Sequence, residues 1–298
     1  MIAFLGPLVD PGFFSNATIR TALVTGAAVA VVSGAVGVFM VIRSGSFAAE
    51  ALSDLGATGG SAAYLLGASP LAGFLAAALA GAMAIDLLGS RRSTSRDLAT
   101  GIVLGGGLGL AALFLDLDTQ SSSTSGASIA VLFGSLFVIS SSTEVASLVL
   151  GALALVLLGL VARRLLLATL SPDIAAARQV HVRLVGVAYL AVLALAVALA
   201  ALTIGAVLGL ALLVGPAATA IRLTSRPARA VLLAAGLGVL STWLGVVLAW
   251  DSYEWPPVGN GWPVSFFIVV LIVFAYLLSF AVRPRRRKPA QPAPGHVA

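Results

Sequence analysis

Two carboxylates, Glu50 and Asp54, stand four residues apart in the stretch RSGSFAAEALSDLGATGG (43–60), inside a chain in which only 9% of residues are charged. On a helix that spacing puts both on one face. An ionisable residue within a membrane segment marks a functional site by default, facing the bundle interior or a watery cavity. Neighbouring carboxylates in a low dielectric repel each other, and a passing divalent cation removes that penalty. Two oxygen donors on one face therefore make a transient metal station, weak enough to release its ion. Ser53, between them, could hydrogen-bond backbone or solute, although serine in a span is usually packing. A plainer reading puts the acids near the cytoplasmic interface, where they would pair with Arg43 or cap a helix end.

Other chemistries lack their residues. There is no Cys, and the only histidines are His181 and His296, so thiolate chemistry, a zinc knuckle and a Ser/His/Asp constellation are out of reach. No G-x-x-x-x-G-K-[ST] loop occurs, and Lys288 is the only lysine. The chain is expected to be no enzyme, to hold no stable metal or cofactor, and to leave ATP to another subunit.

The elements that must carry the acids are membrane helices. Hydrophobic residues make up 60% of the 298-residue chain, and mean hydropathy is +1.09. In hydrocarbon, backbone groups must be satisfied within the segment, and the runs of Ala, Leu, Val and Gly lack the period-two pattern of a barrel. An all-α polytopic bundle follows. The net charge of +6 lies mostly at the ends of apolar runs, which fits membrane orientation rather than nucleic-acid binding. Basic clusters at Arg43, Arg91–Arg96, Arg163–Arg183, Arg222–Arg229 and Arg283–Lys288 place those loops in the cytoplasm. Acids gather elsewhere, near LDLDTQSSSTSG and WDSYEWPPVGNGW, the latter with an interfacial tryptophan belt.

This sidedness gives nine segments with an outside N-terminus, or eight if 44–68 is re-entrant. Residues 44–90 are expected to hold a short segment near 57–68 and a full helix near 70–89. Residues 184–221 hold two helices only if these are short or meet in a tight turn near Thr203–Gly205. Gly101, Gly105 and Gly109 form GxxxGxxxG, and Gly205 and Gly209 repeat the spacing, which predicts close helix packing within the bundle. The chain divides into an N-terminal segment (1–17) without a cleavable signal, a transmembrane domain (18–282) and a basic, Pro-rich tail (283–298) expected to be disordered in the cytoplasm.

The polar loop 168–183, ATLSPDIAAARQVHVR, lies on the basic side. Ser171, Pro172 and Asp173 read as N-cap, first helical position and acidic first turn. A short helix there suits either docking into a soluble partner or an ordinary connector.

Several stretches, in order, resemble the permease subunits of ATP-binding-cassette importers for zinc, manganese or iron. IRSGSFAAEALSD resembles the family's R-R-x-S-F-x-G-D-A-L-S-H signature. LATGIVLGGGLGLAALFL (98–115) is similar to the span after its first basic loop. ASIAVLFGSLFVIS (127–140), SPDIAAARQVHVRL (171–184) and GPAATAIRLT (215–224) resemble three later segments.

The resemblance implies a fold like the cobalamin and siderophore permeases. It also implies a multi-pass protein of the bacterial plasma membrane with its C-terminus inside. Its partners would be cassette ATPase subunits, an extracellular metal-binding protein and a second, identical permease copy. The 168–183 loop becomes the coupling helix that enters the ATPase cleft, with Ser171, Asp173, Ala176 and Arg178 in or beside the contact; Gln179 stands where the family has Gly. Glu50 and Asp54, with Ser53 beside them, fall on the translocation path, at positions the family fills with Asp and His. Asp for His exchanges a borderline nitrogen for a hard oxygen. The cargo is then a harder ion such as manganese or iron, or another solute altogether. A stand-alone secondary transporter remains the alternative of a different class.

Overall fold

The computed structural model describes residues 11–88, 93–121, 131–134, 136–170, 172–178, 181–255 and 261–282. Arg91 and Arg92, Ser171, Gln179, residues 122–126 of LDLDTQSSSTSG and the tail from Arg283 lie outside them. The elements are α1 (Pro11–Ser15), α2 (Ala17–Ile42), α3 (Ser46–Leu65), α4 (Pro70–Leu88), α5 (Ser93–Ser121), α6 (Ser141–Leu170), α7 (Pro172–Ala177), α8 (Val182–Ile204), α9 (Ala206–Leu223), α10 (Pro227–Asp251) and α11 (Val264–Ala281). Two 3-10 turns, Leu136–Val138 and Ser252–Glu254, complete them, and no strand occurs among the described residues.

Eight of these helices are long and apolar enough to cross a membrane. The ninth long helix is α3, whose 20 residues carry Glu50 and Asp54. At 1.5 Å per residue it is about 30 Å long, the thickness of the hydrocarbon core. The structure thus corrects the expected short segment at 57–68. The helix begins at Ser46, and the acids sit in its first turns. Hydropathy hides it because each carboxylate lowers the local average, whereas neighbouring helices supply the burial that makes it helical.

The core is built around α2 and α8. Residues 32–40 and 192–206 are buried without a break, so over these stretches the two helices are enclosed on all sides. Asn16 starts α2 by accepting the Thr18 N–H at 3.0 Å. Backbones approach through small residues. A Cβ at Gly34 would stand 2.7 Å from the Ala235 nitrogen in α10, and one at Gly37 would collide with the Leu213 carbonyl in α9. Gly59 and Gly73 lie against each other's carbonyls where α3 crosses α4.

The stripe Gly101, Gly105 and Gly109 behaves otherwise. An added Cβ at Gly105 or Gly109 meets nothing within 4 Å, and at Gly101 only the tip of Phe47 at 4.0 Å. The expectation that this stripe packs within the chain is therefore overturned. It is Gly107, on another face of α5, that receives Leu55 of α3.

The two ends differ in chemistry. Arg43, Arg163, Arg164, Arg178 and Arg222 gather at one end, where the Arg222 guanidinium stacks 3.6 Å from the centre of the Phe280 ring. At the other end Phe13 meets Trp250 edge-on at 6.0 Å, and Trp255 meets Phe267 at 5.9 Å. Helices therefore run end to end, as the charge clusters require.

Candidate functional site

The rotation of α3 about its own axis decides where the acids point. Two hydroxyls on its inner face fix that rotation. Ser53 Oγ donates to the Ala206 carbonyl at 2.9 Å, and Thr58 Oγ1 donates to the Gly107 carbonyl at 2.7 Å. Both residues are buried. Glu50 is consequently exposed and Asp54 half-buried, and Phe47, one turn earlier, is exposed beside Gly101. The structure thus brings Glu50 and Asp54 together on one open face next to the small-residue stripe of α5. Ser53 is turned into the bundle, with its hydroxyl committed to backbone.

The plainer alternative, in which the acids serve Arg43, is not the arrangement seen for that side chain's Nη1. It reaches the Thr169 hydroxyl at 3.2 Å, and the guanidinium lies over the Tyr189 ring at 5.2 Å. Among the described residues no group of three or more His, Cys, Asp or Glu comes together. One chain offers a cation two adjacent carboxylates, an incomplete and hence releasable set. A carboxylate pair facing bare hydrocarbon is costly, so this face requires cover by water or by protein.

A second feature was read from the sequence only in part. α8 and α9 meet at Gly205, whose backbone stands at φ 99°, ψ 157°, a region essentially closed to other residues. The reversal is sharp: a Cβ at Gly209 would lie 3.2 Å from Ala200. The expected tight turn at Thr203–Gly205 is therefore present. Residues 131–134 and 136–138 fold down onto it, with Gly134 at φ 82° packed against the Thr203 carbonyl and Leu136 near Gly26 of α2. Irregular backbone at membrane depth is tolerated when protein buries it. Above this floor opens a cavity of about 560 Å³, lined among others by Asn16, Phe133, Thr203, Trp250 and Trp262. The break carried a signal in Gly205. The folded-in segment did not, because nothing in the periodicity of ASIAVLFGSLFVIS distinguishes it from a span.

At the basic end, α7 spans Pro172–Ala177 and so contains Asp173 and Ala176. It packs on α6. Ala175 is buried, whereas Ile174, Ala177 and the following Arg178 are exposed. The helix and the residue after it thus present two apolar side chains, Ile174 and Ala177, and one cationic side chain, Arg178, away from the bundle.

Comparison with known proteins adds the following. The model of a family described as the ABC 3 transport family matches residues 15–283. The manganese transport system membrane protein MntC of Halalkalibacterium halodurans is 30% identical over 232 residues, 78% of each chain. The manganese import system permease protein ScaB of Streptococcus parasanguinis is 26% identical over 270 residues, 91% of this chain and 92% of its own. Among solved structures, PsaBC from Streptococcus pneumoniae in complex with Fab shares the fold. Its TM-score is 0.78 at 23% identity, covering 96% of this chain and 98% of that one.

Proposed function

The chain belongs to the ABC 3 transport family, and from that premise we propose that it is the membrane permease of an importer for a divalent metal ion, manganese in the first instance. The observation that carries the reading is the carboxylate pair Glu50 and Asp54, held on the open face of a full-length membrane helix by Ser53 and Thr58. Oxygen donors suit a hard cation, and relatives over most of the chain are named for manganese.

Two copies of the chain, related by a two-fold axis, would meet through the open stripe of Gly101, Gly105 and Gly109. In lipid, small residues let backbones approach closely. The pair then faces Glu50 and Asp54 of one copy towards those of the other, doubles the carboxylates and removes them from hydrocarbon. The ion enters from a binding protein at the aromatic end and leaves at the basic, cytoplasmic end. ATP is consumed by cassette ATPase subunits, onto which α7 docks through Ile174 and Arg178, with Asp173 and Ala176 in the same short helix.

The test is uptake of manganese into liposomes holding the permease with its ATPase and binding protein. The parent assembly imports manganese only with ATP. Glu50→Gln with Asp54→Asn retains the ATPase on co-purification but loses uptake by at least about tenfold, the scale of one lost charged contact. Arg178→Glu weakens ATPase retention instead. Uptake that is unchanged in the carboxylate variants, or that proceeds without ATP, refutes the reading.

A further inference from the structure

We infer that Arg43 is the positioning residue that ties the short docking helix to the carboxylate-bearing helix. The proposal rests on the importer reading above. It begins with where the three elements meet. Thr169 lies in the last turn of α6, three residues before α7 begins. Tyr189 lies two turns into α8, the helix that follows α7. One guanidinium touches both: Nη1 donates to Thr169 Oγ1 at 3.2 Å, and the carbon of the group lies 5.2 Å from the Tyr189 ring centre. The Thr169 hydroxyl gives its own hydrogen to the Leu165 carbonyl at 2.7 Å, so its lone pair is left for the arginine. The two helices flanking the docking helix thus converge on a side chain that belongs to neither.

Arg43 in turn has no slack relative to α3. It closes α2, and the corner that follows is a fully bonded left-handed cap. The Ser44 N–H bonds to the Val41 carbonyl at 3.1 Å, the Gly45 N–H to the Met40 carbonyl at 2.9 Å, and the Ala49 N–H to the Gly45 carbonyl at 3.0 Å. Ser44 sits at φ 54°, a conformation that costs a residue with a Cβ and persists only where surrounding contacts enforce it. The chain therefore passes from Arg43 into α3 through a stiff corner, and Glu50 is reached within two turns. A displacement of α7 that shifts Thr169 or Tyr189 is transmitted to the start of α3 rather than absorbed.

The chemistry selects arginine. A planar guanidinium hydrogen-bonds in its plane and stacks through its face, and an ammonium does not combine the two. The Tyr189 hydroxyl supplies a second observation. Tyr189 is 3% exposed, and its oxygen finds no hydrogen-bond partner among the described residues. A buried hydroxyl left unpaired is unfavourable, so its removal favours the arrangement of Arg43 and Tyr189 seen here.

The experiment compares the parent with Arg43→Lys, Thr169→Val and Tyr189→Phe in liposomes carrying the complete assembly, with manganese uptake and ATP hydrolysis measured on the same samples. Arg43→Lys is expected to hydrolyse ATP within about twofold of the parent while uptake per ATP falls about tenfold, the scale of one lost charged hydrogen bond. Thr169→Val loses uptake per ATP in the same direction, and the double variant is no worse than Arg43→Lys alone, as members of one linkage behave. Tyr189→Phe removes the unpaired hydroxyl, favours the arrangement seen here and slows hydrolysis.

Uptake per ATP unchanged in Arg43→Lys overturns the inference. So does parallel loss of assembly, hydrolysis and uptake, which marks a merely structural residue, and so does additivity of the two losses. A parent that imports no manganese with ATP refutes the importer reading itself, and is told apart because it precedes any variant.

Discussion

Replacing Gly205 with alanine tests the α8–α9 break directly, and its cost can be worked from the geometry. At φ 99°, ψ 157° the backbone lies where only glycine is at ease, which costs another residue about 1–3 kcal/mol. The new Cβ would also collide with the Leu132 carbonyl and stand 2.5 Å from the Phe133 carbonyl carbon. These are backbone atoms of the folded-in segment, so no side chain can rotate away. Relief requires moving residues 131–134, an overpacking cost of about 1–3 kcal/mol. Together the two amount to about 2–6 kcal/mol, or a fall in melting temperature of about 5–15 °C for a chain of this size.

The assay is thermal unfolding in lipid nanodiscs at one scan rate, followed by tryptophan fluorescence, since Trp250 and Trp262 line the cavity above the break. Gly159→Ala in α6 is the control: its Cβ meets nothing within 4 Å, and helix propensity favours alanine by up to about 1 kcal/mol. If Gly205→Ala melts within about 2 °C of the parent, the described packing of 131–134 on the break is wrong.

Two further outcomes follow from the open face. Gly105→Leu should leave the melting of the single chain near that of the parent, because the site is empty in the fold. It should abolish the permease pair, read as a halved protein mass by light scattering or as loss of cross-linking between copies. Asp54→His should move the competition between zinc and manganese towards zinc by about tenfold, since imidazole suits zinc better than a carboxylate does. Unchanged competition would take Asp54 off the path.

The gathering of arginines at one end, the all-helical class and the turn at Gly205 were legible because each rests on a local property: charge at helix ends, hydropathy, or one glycine. The short helix α7 was legible for the same reason, through Pro172 and Asp173 at its start. The extent of α3 was not. Ser46–Leu65 is a membrane-length helix because Leu52, Ala49 and Ala57 are buried by other helices, and its acids obscure that in any hydropathy window. The glycine stripe on α5 shows the complementary failure. The spacing of Gly101, Gly105 and Gly109 records that a close neighbour is accommodated, but not whether it belongs to the same chain. Ser53 likewise resembled the acids in sequence, and only the rotation of α3 separates it from them.

The tight seating of α2 restricts how such a protein can move. At Gly34 and Gly37 its neighbours are main-chain atoms of α10 and α9, which cannot yield as side chains do. Sliding or turning α2 by a fraction of a residue would drive peptide into peptide. α2, α9 and α10 therefore form one keel, and the stiff corner after Arg43 fixes the start of α3 to it.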